Sequence, residues 1–348
     1  MRDKLKIRYV VLIVLLSVVW ATQLIPILGE VYAQSVYPVI SHFLSSFSKL
    51  MPFAIGDLFI FLSVLGLLFN PIRARYIQKK KWKQILLNEM EYLLWIYAWF
   101  YLAWGLNYSQ KDFYGRTNIP YTAYTPEIFQ SFVDNYIDKL NASYTDVTSI
   151  DEPLVCRESV HGYNQISDTL GAHRPPHSSL RVKTMLFTPF ISMVGVTGSM
   201  GPFFCEFTLN GDLLPPQYPA TYAHELAHFL GITSEAEANF YAYQVCTRSQ
   251  VKEIRFSGYF SVLPHVLGNA RRLMSEEEYA ELFNRIRPEI IELAQKNQQY
   301  WMEKYSPLIG DIQNFIYDLY LKGNKIQSGR KNYSEVIGLL ISYEEWKN

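Results

Sequence analysis

Cysteine is scarce in this sequence, which has three among its 348 residues: Cys156, Cys205 and Cys246. None belongs to a C-x-x-C pair, and three thiols cannot all pair within one molecule. One disulfide would be compatible with an oxidising compartment, but the spacing does not select its partners. Buried free thiols are therefore the favoured interpretation.

Net charge is also absent, because 32 basic residues balance 32 acidic ones. A chain without a basic field has no electrostatic footprint for nucleic acid, so no nucleic-acid partner is expected. The glycine-bearing stretch 194–201 lacks the strand, G-x-G-x-x-G and helix context of a dinucleotide site. Internal repeats and low-complexity linkers are missing too, so residues 111–348 are predicted to form one domain.

Aromatic residues, in contrast, are abundant at 16%, and many of them lie in the first 110 residues. This asymmetry suggests membrane anchoring. Three apolar segments, at about 9–29, 53–72 and 92–110, are long enough to cross a bilayer. A signal peptide ending near Val31-Tyr32-Ala33 is the alternative for the first, but the uncharged run is long for one. We therefore predict a membrane domain at 1–110 with three transmembrane helices.

Basic residues beside these segments predict the topology. They stand at the N-terminus and in the loop 73–83, and the positive-inside rule places both in the cytoplasm. Three crossings then put residues 111–348 on the outer side of the cytoplasmic (inner) membrane, which is the periplasm in a Gram-negative cell. The lipid bilayer is thus an expected partner.

Residues 111–348 predict an α+β domain that is mostly helical and contains a small sheet. Capping and 3.6-residue periodicity indicate the helices, and alternation of apolar and polar residues indicates the strands. The expected elements are helices opening at Thr125-Pro126 and spanning Glu158 to Leu170 and Tyr333 to Tyr343, and strands at Arg181 to Thr188 and Phe203 to Asn210.

The stretch from Ala220 to Gly231 carries the chemistry, because it reads H-E-x-x-H in an apolar frame. Residues i and i+4 share one helix face, so His224 and His228 can offer imidazole nitrogens to a single ion. Glu225 lies one residue round, where its carboxylate reaches a water on the metal and not the metal itself. The motif therefore predicts an active-site helix of a zinc hydrolase.

A catalytic zinc site needs a third protein ligand, and Glu235 is the first candidate. Ser234 is a natural N-cap for a helix beginning at Glu235, and Gly231 can adopt positive φ and end the preceding helix sharply. Asn239 shares a face with Glu235 and would hydrogen-bond a ligand histidine. Glu237 points elsewhere on the same helix and stays open as an alternative metal ligand.

His224 to His228 followed by Glu235 to Asn239 resembles the gluzincin signature, H-E-x-x-H and then E-x-x-A-N or E-x-x-A-D. In those peptidases the first Glu of the second motif binds zinc, and the Asn or Asp supports a histidine. The gap between the two motifs is shorter here than in better-known gluzincins. The choice between Glu235 and Glu237 is therefore left open by the resemblance.

Nearly the whole chain resembles a bacterial family of unknown function, which has three N-terminal spans before an outward-facing zincin-like domain. The resemblance rests on Pro52 to Asp57, Trp104 to Tyr108, Gly201 to Phe204 and Tyr320 to Asn324. It implies that the strand from Phe203 to Asn210 is the edge strand that pairs with an extended peptide.

Together these features predict a membrane-anchored zinc metallopeptidase that hydrolyses peptide bonds outside the cytoplasmic membrane. His224, His228 and Glu235 would hold Zn²⁺, and Glu225 would act as general base on zinc-bound water. Its expected partners are the bilayer and a peptide or protein substrate. The alternatives are a zinc amide hydrolase acting on a cell-wall substrate and a catalytically silent membrane receptor or scaffold.

Other polar residues are less strongly indicated. An oxyanion-stabilising group is required, and Tyr333, Tyr320 and His265 are unranked candidates. His173 and His177 flank a double proline, which indicates an exposed turn and argues against metal binding there.

Overall fold

The computed structural model describes residues 2–176, 180–324, 326 and 335–348. The chain divides into two compact units. The first comprises Met1–Gln110, Lys183–Leu186 and Met200–Thr208, and the second comprises Lys111–Val182, Phe187–Ser199 and Leu209–Asn348. Two short segments that follow residue 110 in the chain thus belong to the first unit.

The first unit is built mainly from helices. They are α1 (Arg2–Leu24), α2 (Pro26–Val31), α3 (Tyr37–Ser48), α4 (Ile55–Tyr76) and α5 (Trp82–Ala103), with a π-helical turn at Tyr32–Val36 and a 3-10 turn at Gly105–Ser109. Proline has no backbone N–H and clashes with a preceding helical turn, so Pro26 separates α1 from α2. The uncharged run at 9–29 is therefore divided between two helices.

Two of the described helices are long and apolar enough to cross a membrane, at Ile7–Leu24 and Ile55–Tyr76. Only 17% and 6% of their apolar windows are buried within the protein. A core helix of a water-soluble domain is mostly buried, so this exposure is typical of a lipid-facing surface.

The third predicted span, at 92–110, is not among the described helices that are long and apolar enough to cross. The helix there, α5, starts ten residues earlier, at Trp82, and ends at Ala103, so only 92–103 of the predicted segment belongs to it. Glu89 accepts a hydrogen bond from Asn70 at 2.5 Å, and Glu91 forms an ion pair with Arg8 at 2.6 Å. The tryptophans and tyrosines of α5 are also amphipathic, which suits a membrane interface better than a hydrocarbon core.

The second unit is mostly helical. Its helices are α6 (Phe113–Thr117), α7 (Pro126–Ser143), α8 (Glu152–Leu170), α9 (Thr188–Ser192), α10 (Tyr218–Phe229), α11 (Glu235–Thr247), α12 (Lys252–Leu273), α13 (Glu276–Arg285), α14 (Pro288–Lys304), α15 (Pro307–Gly323) and α16 (Val336–Lys347). The predicted helix at Glu158 to Leu170 begins six residues earlier, where the Asp151 side chain caps it by accepting from the Leu154 N–H. The mostly helical α+β class is confirmed.

A three-stranded sheet completes the fold, with β1 (Lys183–Thr184), β2 (Gly198–Gly201) and β3 (Glu206–Leu209) in the order β1-β3-β2. The strand predicted at Arg181 to Thr188 is reduced to Lys183–Thr184, because α9 begins at Thr188 with Pro189 in its first turn. The strand predicted at Phe203 to Asn210 is β3, which is central and not an edge. The edges are β1 and β2, and β2 comes from the glycine-bearing stretch that the sequence indicated as a turn.

Helices α10 and α11 lie at the centre of the second unit, packed against each other and against α8 and α12. Buried tyrosines satisfy backbone groups around them: Tyr163 donates to the Ala223 carbonyl at 2.7 Å, and Tyr241 donates to the Leu170 carbonyl at 2.5 Å. The Ser257 hydroxyl accepts from the Ala220 N–H at the start of α10. These contacts hold the H-E-x-x-H helix in a rigid core.

Candidate metal centre

The H-E-x-x-H helix and its successor are joined by a tight turn. Gly231 has φ +92°, and the Ile232 N–H bonds back to the Ala227 carbonyl at 3.1 Å, so the turn satisfies a carbonyl at the end of α10. Ser234 then caps α11 by accepting from the Glu237 N–H at 3.3 Å. The turn brings the start of α11 back beside the end of α10.

Three side chains meet at this junction. The Nε2 atoms of His224 and His228 lie 3.1 Å apart, and Oε2 of Glu235 lies 3.1 Å from the first and 3.3 Å from the second. His228 and Glu235 are buried, and His224 is partly exposed. Among the described residues these three form a group that could hold a metal ion.

Hydrogen bonds at the other ring nitrogens orient both imidazoles. His228 Nδ1 lies 2.7 Å from the Ile232 carbonyl, which only accepts, so this nitrogen carries the proton. His224 Nδ1 lies 2.8 Å from Oδ1 of Asn239 in the same way. In the neutral imidazoles both Nε2 lone pairs then face the Glu235 carboxylate, so three electron-rich atoms repel one another. A cation or an added proton between them would remove this repulsion.

The pKa shifts express the same electrostatics. Burial opposes a charge on His228, but the Glu235 carboxylate outweighs burial and raises the His228 pKa to about 9. Burial would raise the Glu235 pKa, yet the two histidines bring it well below its usual range. A proton on His228 thus takes the place that a metal cation would fill.

The donor atoms fit a zinc ion in kind and in spacing. Two ligands about 2.0 to 2.1 Å from a tetrahedral zinc lie roughly 3.3 Å apart. The observed separations are 3.1, 3.1 and 3.3 Å. Two imidazole nitrogens and one carboxylate oxygen are also a ligand set of catalytic zinc sites, which keep one position open.

Glu225 lies beside this group and is buried, with 5% of its surface exposed. Within the described part of the chain its Oε2 has no hydrogen-bond partner. Burial raises its pKa, and the neighbouring histidines only partly oppose this. A buried carboxylate oxygen that lacks a partner suits a group that exchanges a proton with a bound molecule.

Gly198 on the edge strand β2 lies against Glu225. A Cβ built at this position would lie 2.6 Å from Cγ of Glu225, closer than real Cβ contacts allow. The glycine therefore permits a close approach of the strand to the carboxylate. The sequence does not indicate a role for Gly198, because only the tertiary packing brings Glu225 next to it.

Tyr317 is a second residue that the sequence did not reveal. It lies on α15, and its hydroxyl donates to Oε1 of Glu235 at 2.5 Å, 82 positions away in the chain. The predicted candidate Tyr320 stacks on it with ring centroids 6.0 Å apart. The sequence did hold one indication of Tyr317: it stands three positions before Tyr320, so the two tyrosines lie near the same face of a helix.

The remaining residues that the sequence singled out do not belong to this group of three side chains. His265 on α12 is half-buried, and its pKa is lowered first by burial and then by the charge of His224. Tyr333 and His177 lie outside the described residues. Cys156, Cys205 and Cys246 are each buried and free.

Glu237 belongs to a separate polar group on the opposite side of α11. Its Oε1 accepts from the Phe113 N–H at 3.2 Å, and its Oε2 forms an ion pair with Arg116, whose side chain is 4% exposed. The structure therefore brings Glu235, and not Glu237, to the histidine pair. Glu237 instead joins α6 to the first turn of α11.

Comparison with known proteins gives a family without an activity. A model described as protein of unknown function (DUF3810) matches residues 32–341. No curated protein and no solved structure matches the chain.

Proposed function

Since the chain belongs to this family of unknown function, we propose its activity from its own site: a membrane-attached, zinc-dependent metallopeptidase with a zincin-like catalytic unit. One observation carries the proposal. Two imidazole nitrogens and a carboxylate oxygen converge within 3.1 to 3.3 Å of one another, and the buried Glu225 carboxylate lies alongside.

His224, His228 and Glu235 would hold the ion, with Asn239 and the Ile232 carbonyl fixing the orientation of the rings. When bound, zinc would supply Lewis acidity, polarising the scissile carbonyl and making a water molecule more acidic. The two histidine ligands are neutral and the Glu235 ligand is anionic, so the ion with its three ligands would keep one net positive charge. This charge would stabilise the developing oxyanion.

Glu225 would move the proton. Its Oε2 would accept a proton from the attacking water and then return it to the leaving amine nitrogen. Burial raises the Glu225 pKa above the ordinary value of a carboxyl, which makes the carboxylate a stronger base and its protonated form easier to populate. Tyr317, by bonding to Oε1 of Glu235, would keep that carboxylate aimed at the ion through Oε2.

A peptide is the substrate class that best suits the surroundings of Glu225. Gly198 stands on β2, an edge strand, next to the proposed general base. An exposed strand edge can pair with an extended backbone and so hold a peptide bond in a defined orientation. Gly198, Ser199 and Gly201 on β2 would leave room for that backbone.

The test is hydrolysis and metal content of Glu225→Gln in the purified full-length chain. We expect about one zinc per chain, as in catalytic zinc sites, with hydrolysis of a peptide library abolished. Gln matches Glu in size, so the fold and the ligands stay in place while the base is lost. Cleavage by the variant at the wild-type rate would refute the role of Glu225, and a wild-type chain that binds no zinc would refute the metal site.

For membrane attachment we propose α1 and α4 as the spans. The outer location of residues 111–348 required a third crossing, and with two crossings the positive-inside rule returns them to the cytoplasmic side. A reporter enzyme that is active only outside the cytoplasm, fused after Asn348, separates these topologies. Reporter activity means that α5 also crosses, and its absence, with a cytoplasmic reporter active at the same position, means two crossings.

A further inference from the structure

Helix α15 exposes large apolar side chains to the outside, although its inward face also buries Leu321. A surface helix in water normally turns apolar residues inward and polar residues outward. In α15 the inward face bonds to the rest of the second unit through polar groups: Tyr317 donates to Glu235, and Asn314 donates to the Tyr305 hydroxyl at 3.2 Å.

The outward face of α15 is made of large apolar side chains. Leu308, Ile312, Phe315 and Leu319 follow at intervals of three and four, and they are 75%, 56%, 66% and 55% exposed. Ile309 and Ile316 widen the stripe. This continuous exposed patch has the size and spacing of a binding surface and not of scattered surface residues.

Charge along the chain indicates what this face binds. Residues 319–334 contain four cationic residues and no acidic one: Lys322, Lys325, Arg330 and Lys331. Acidic residues within α15 are Asp311 and Asp318, and the second of these pairs with Lys322, whose side chain remains 53% exposed. An apolar helix face that is followed in the sequence by a cationic segment is the pattern of a helix that lies in the interface of an anionic bilayer.

The chain also carries helices that fit a bilayer, α1 and α4, so a lipid surface would be tethered to the second unit at high local concentration. We propose that the outward face of α15 docks on an anionic lipid surface. The inference rests on the membrane attachment in the proposed function and is independent of peptide hydrolysis. Docking would also hold in place the helix that supports the metal ligand Glu235.

The test uses nitroxide labels on single cysteines in the full-length chain, reconstituted into phosphatidylcholine vesicles with or without phosphatidylglycerol. All three native cysteines are buried, so an introduced surface thiol is labelled selectively. The labelled variants are Phe315→Cys on α15, Lys296→Cys on α14 as an exposed control, and Leu62→Cys on α4 as a control for the apolar segment. Collision with oxygen, which partitions into lipid, is compared with collision with a water-soluble nickel chelate.

We expect the label at residue 315 to collide preferentially with oxygen in vesicles that contain phosphatidylglycerol, while the label at 296 collides with the chelate. Water-like behaviour at 315 with lipid-like behaviour at 62 would overturn lipid docking and leave membrane attachment intact. Water-like behaviour at both 315 and 62 would overturn attachment as well. A label at 315 shielded from both reagents would mean that protein covers the face, and this also overturns the proposal.

Discussion

The two acidic residues at the start of α11 offer a matched pair of substitutions, Glu235→Gln and Glu237→Gln. They remove the same charge, in the same helical turn, with the same isosteric replacement. Glu235 contacts the histidine pair, whereas Glu237 contacts Arg116 and the Phe113 N–H. We therefore expect opposite consequences for metal binding and for stability.

Glu235→Gln replaces the anionic ligand with a neutral amide. Loss of a residue that merely supports a ligand costs roughly 10- to 100-fold in metal affinity, and loss of a ligand should exceed that range. Glu237→Gln instead leaves the Arg116 guanidinium buried without its counter-charge. Breaking a buried pair in this way costs about 3 to 5 kcal/mol.

For a unit of this size each kcal/mol lowers the melting temperature by about 2 to 4 °C, so Glu237→Gln should lower it by the order of 10 °C. The assay is zinc content by X-ray fluorescence, chelator competition, and thermal unfolding of the zinc-loaded and metal-free full-length chain. Glu235→Gln should lose the zinc-induced stabilisation. Glu237→Gln should keep the zinc-induced stabilisation, but its melting temperature should be lower than that of the wild type both with and without zinc.

A Glu235→Gln chain that binds zinc with wild-type affinity would refute the ligand assignment. A folded Glu237→Gln chain that binds no zinc would refute it as well, since it would mean that Glu237 moves to the ion when metal is present. Equal melting temperatures for Glu237→Gln and the wild type would refute the structural role of its pair with Arg116.

Three further predictions concern the surroundings of the ion. Gly198→Ala should lower peptide hydrolysis while zinc content stays unchanged, because the added Cβ displaces Glu225. Loss of zinc from this variant would contradict the placement of Gly198 against the general base and not against the metal ligands. Asn239→Ala should weaken zinc binding by roughly 10- to 100-fold, measured by chelator competition, because His224 loses the partner that orients it; unchanged affinity would contradict that role. In the metal-free chain the raised pKa of His228 contributes stability that is fully present below about 6.5 and is lost as pH rises through about 9. Zinc should remove this slope and release about one proton per ion near pH 7.5, which calorimetry in buffers of different ionisation enthalpy measures; zinc binding without proton release would contradict the pairing of His228 with Glu235.

Much of the ligand geometry is predictable from the sequence because it depends on short spacings. The placement of His224 and His228 on one face follows from helical periodicity, and the return of the chain follows from Gly231 and Ser234. The structure brings Glu235 and Asn239 to the histidines as these local rules lead one to expect. The mostly helical class with a small sheet followed from periodicity as well.

Predictions that depended on length or hydrophobicity alone were less secure. The segment 92–110 is aromatic and apolar, but α5 runs from Trp82 to Ala103 and a 3-10 turn follows at Gly105–Ser109, so the segment is not one continuous helix. The stretch 194–201 contains three glycines, which indicated a turn, although its residues Gly198 to Gly201 pair with β3. Strand pairing depends on a distant partner, so composition within one window cannot decide it.

The sequence alone determined that two imidazoles and a carboxylate can meet. His224 and His228 are four positions apart on one helix, and Glu235 follows seven positions later after a tight turn, so the short chain between them restricts where these side chains can lie. Only the tertiary structure decided which groups surround them. Tyr317 reaches Glu235 from 82 positions away, Arg116 engages Glu237 from 121 positions away, and Gly198 meets Glu225 across a strand edge. Contacts of that range follow from the packing of whole helices and strands, which local spacing does not encode.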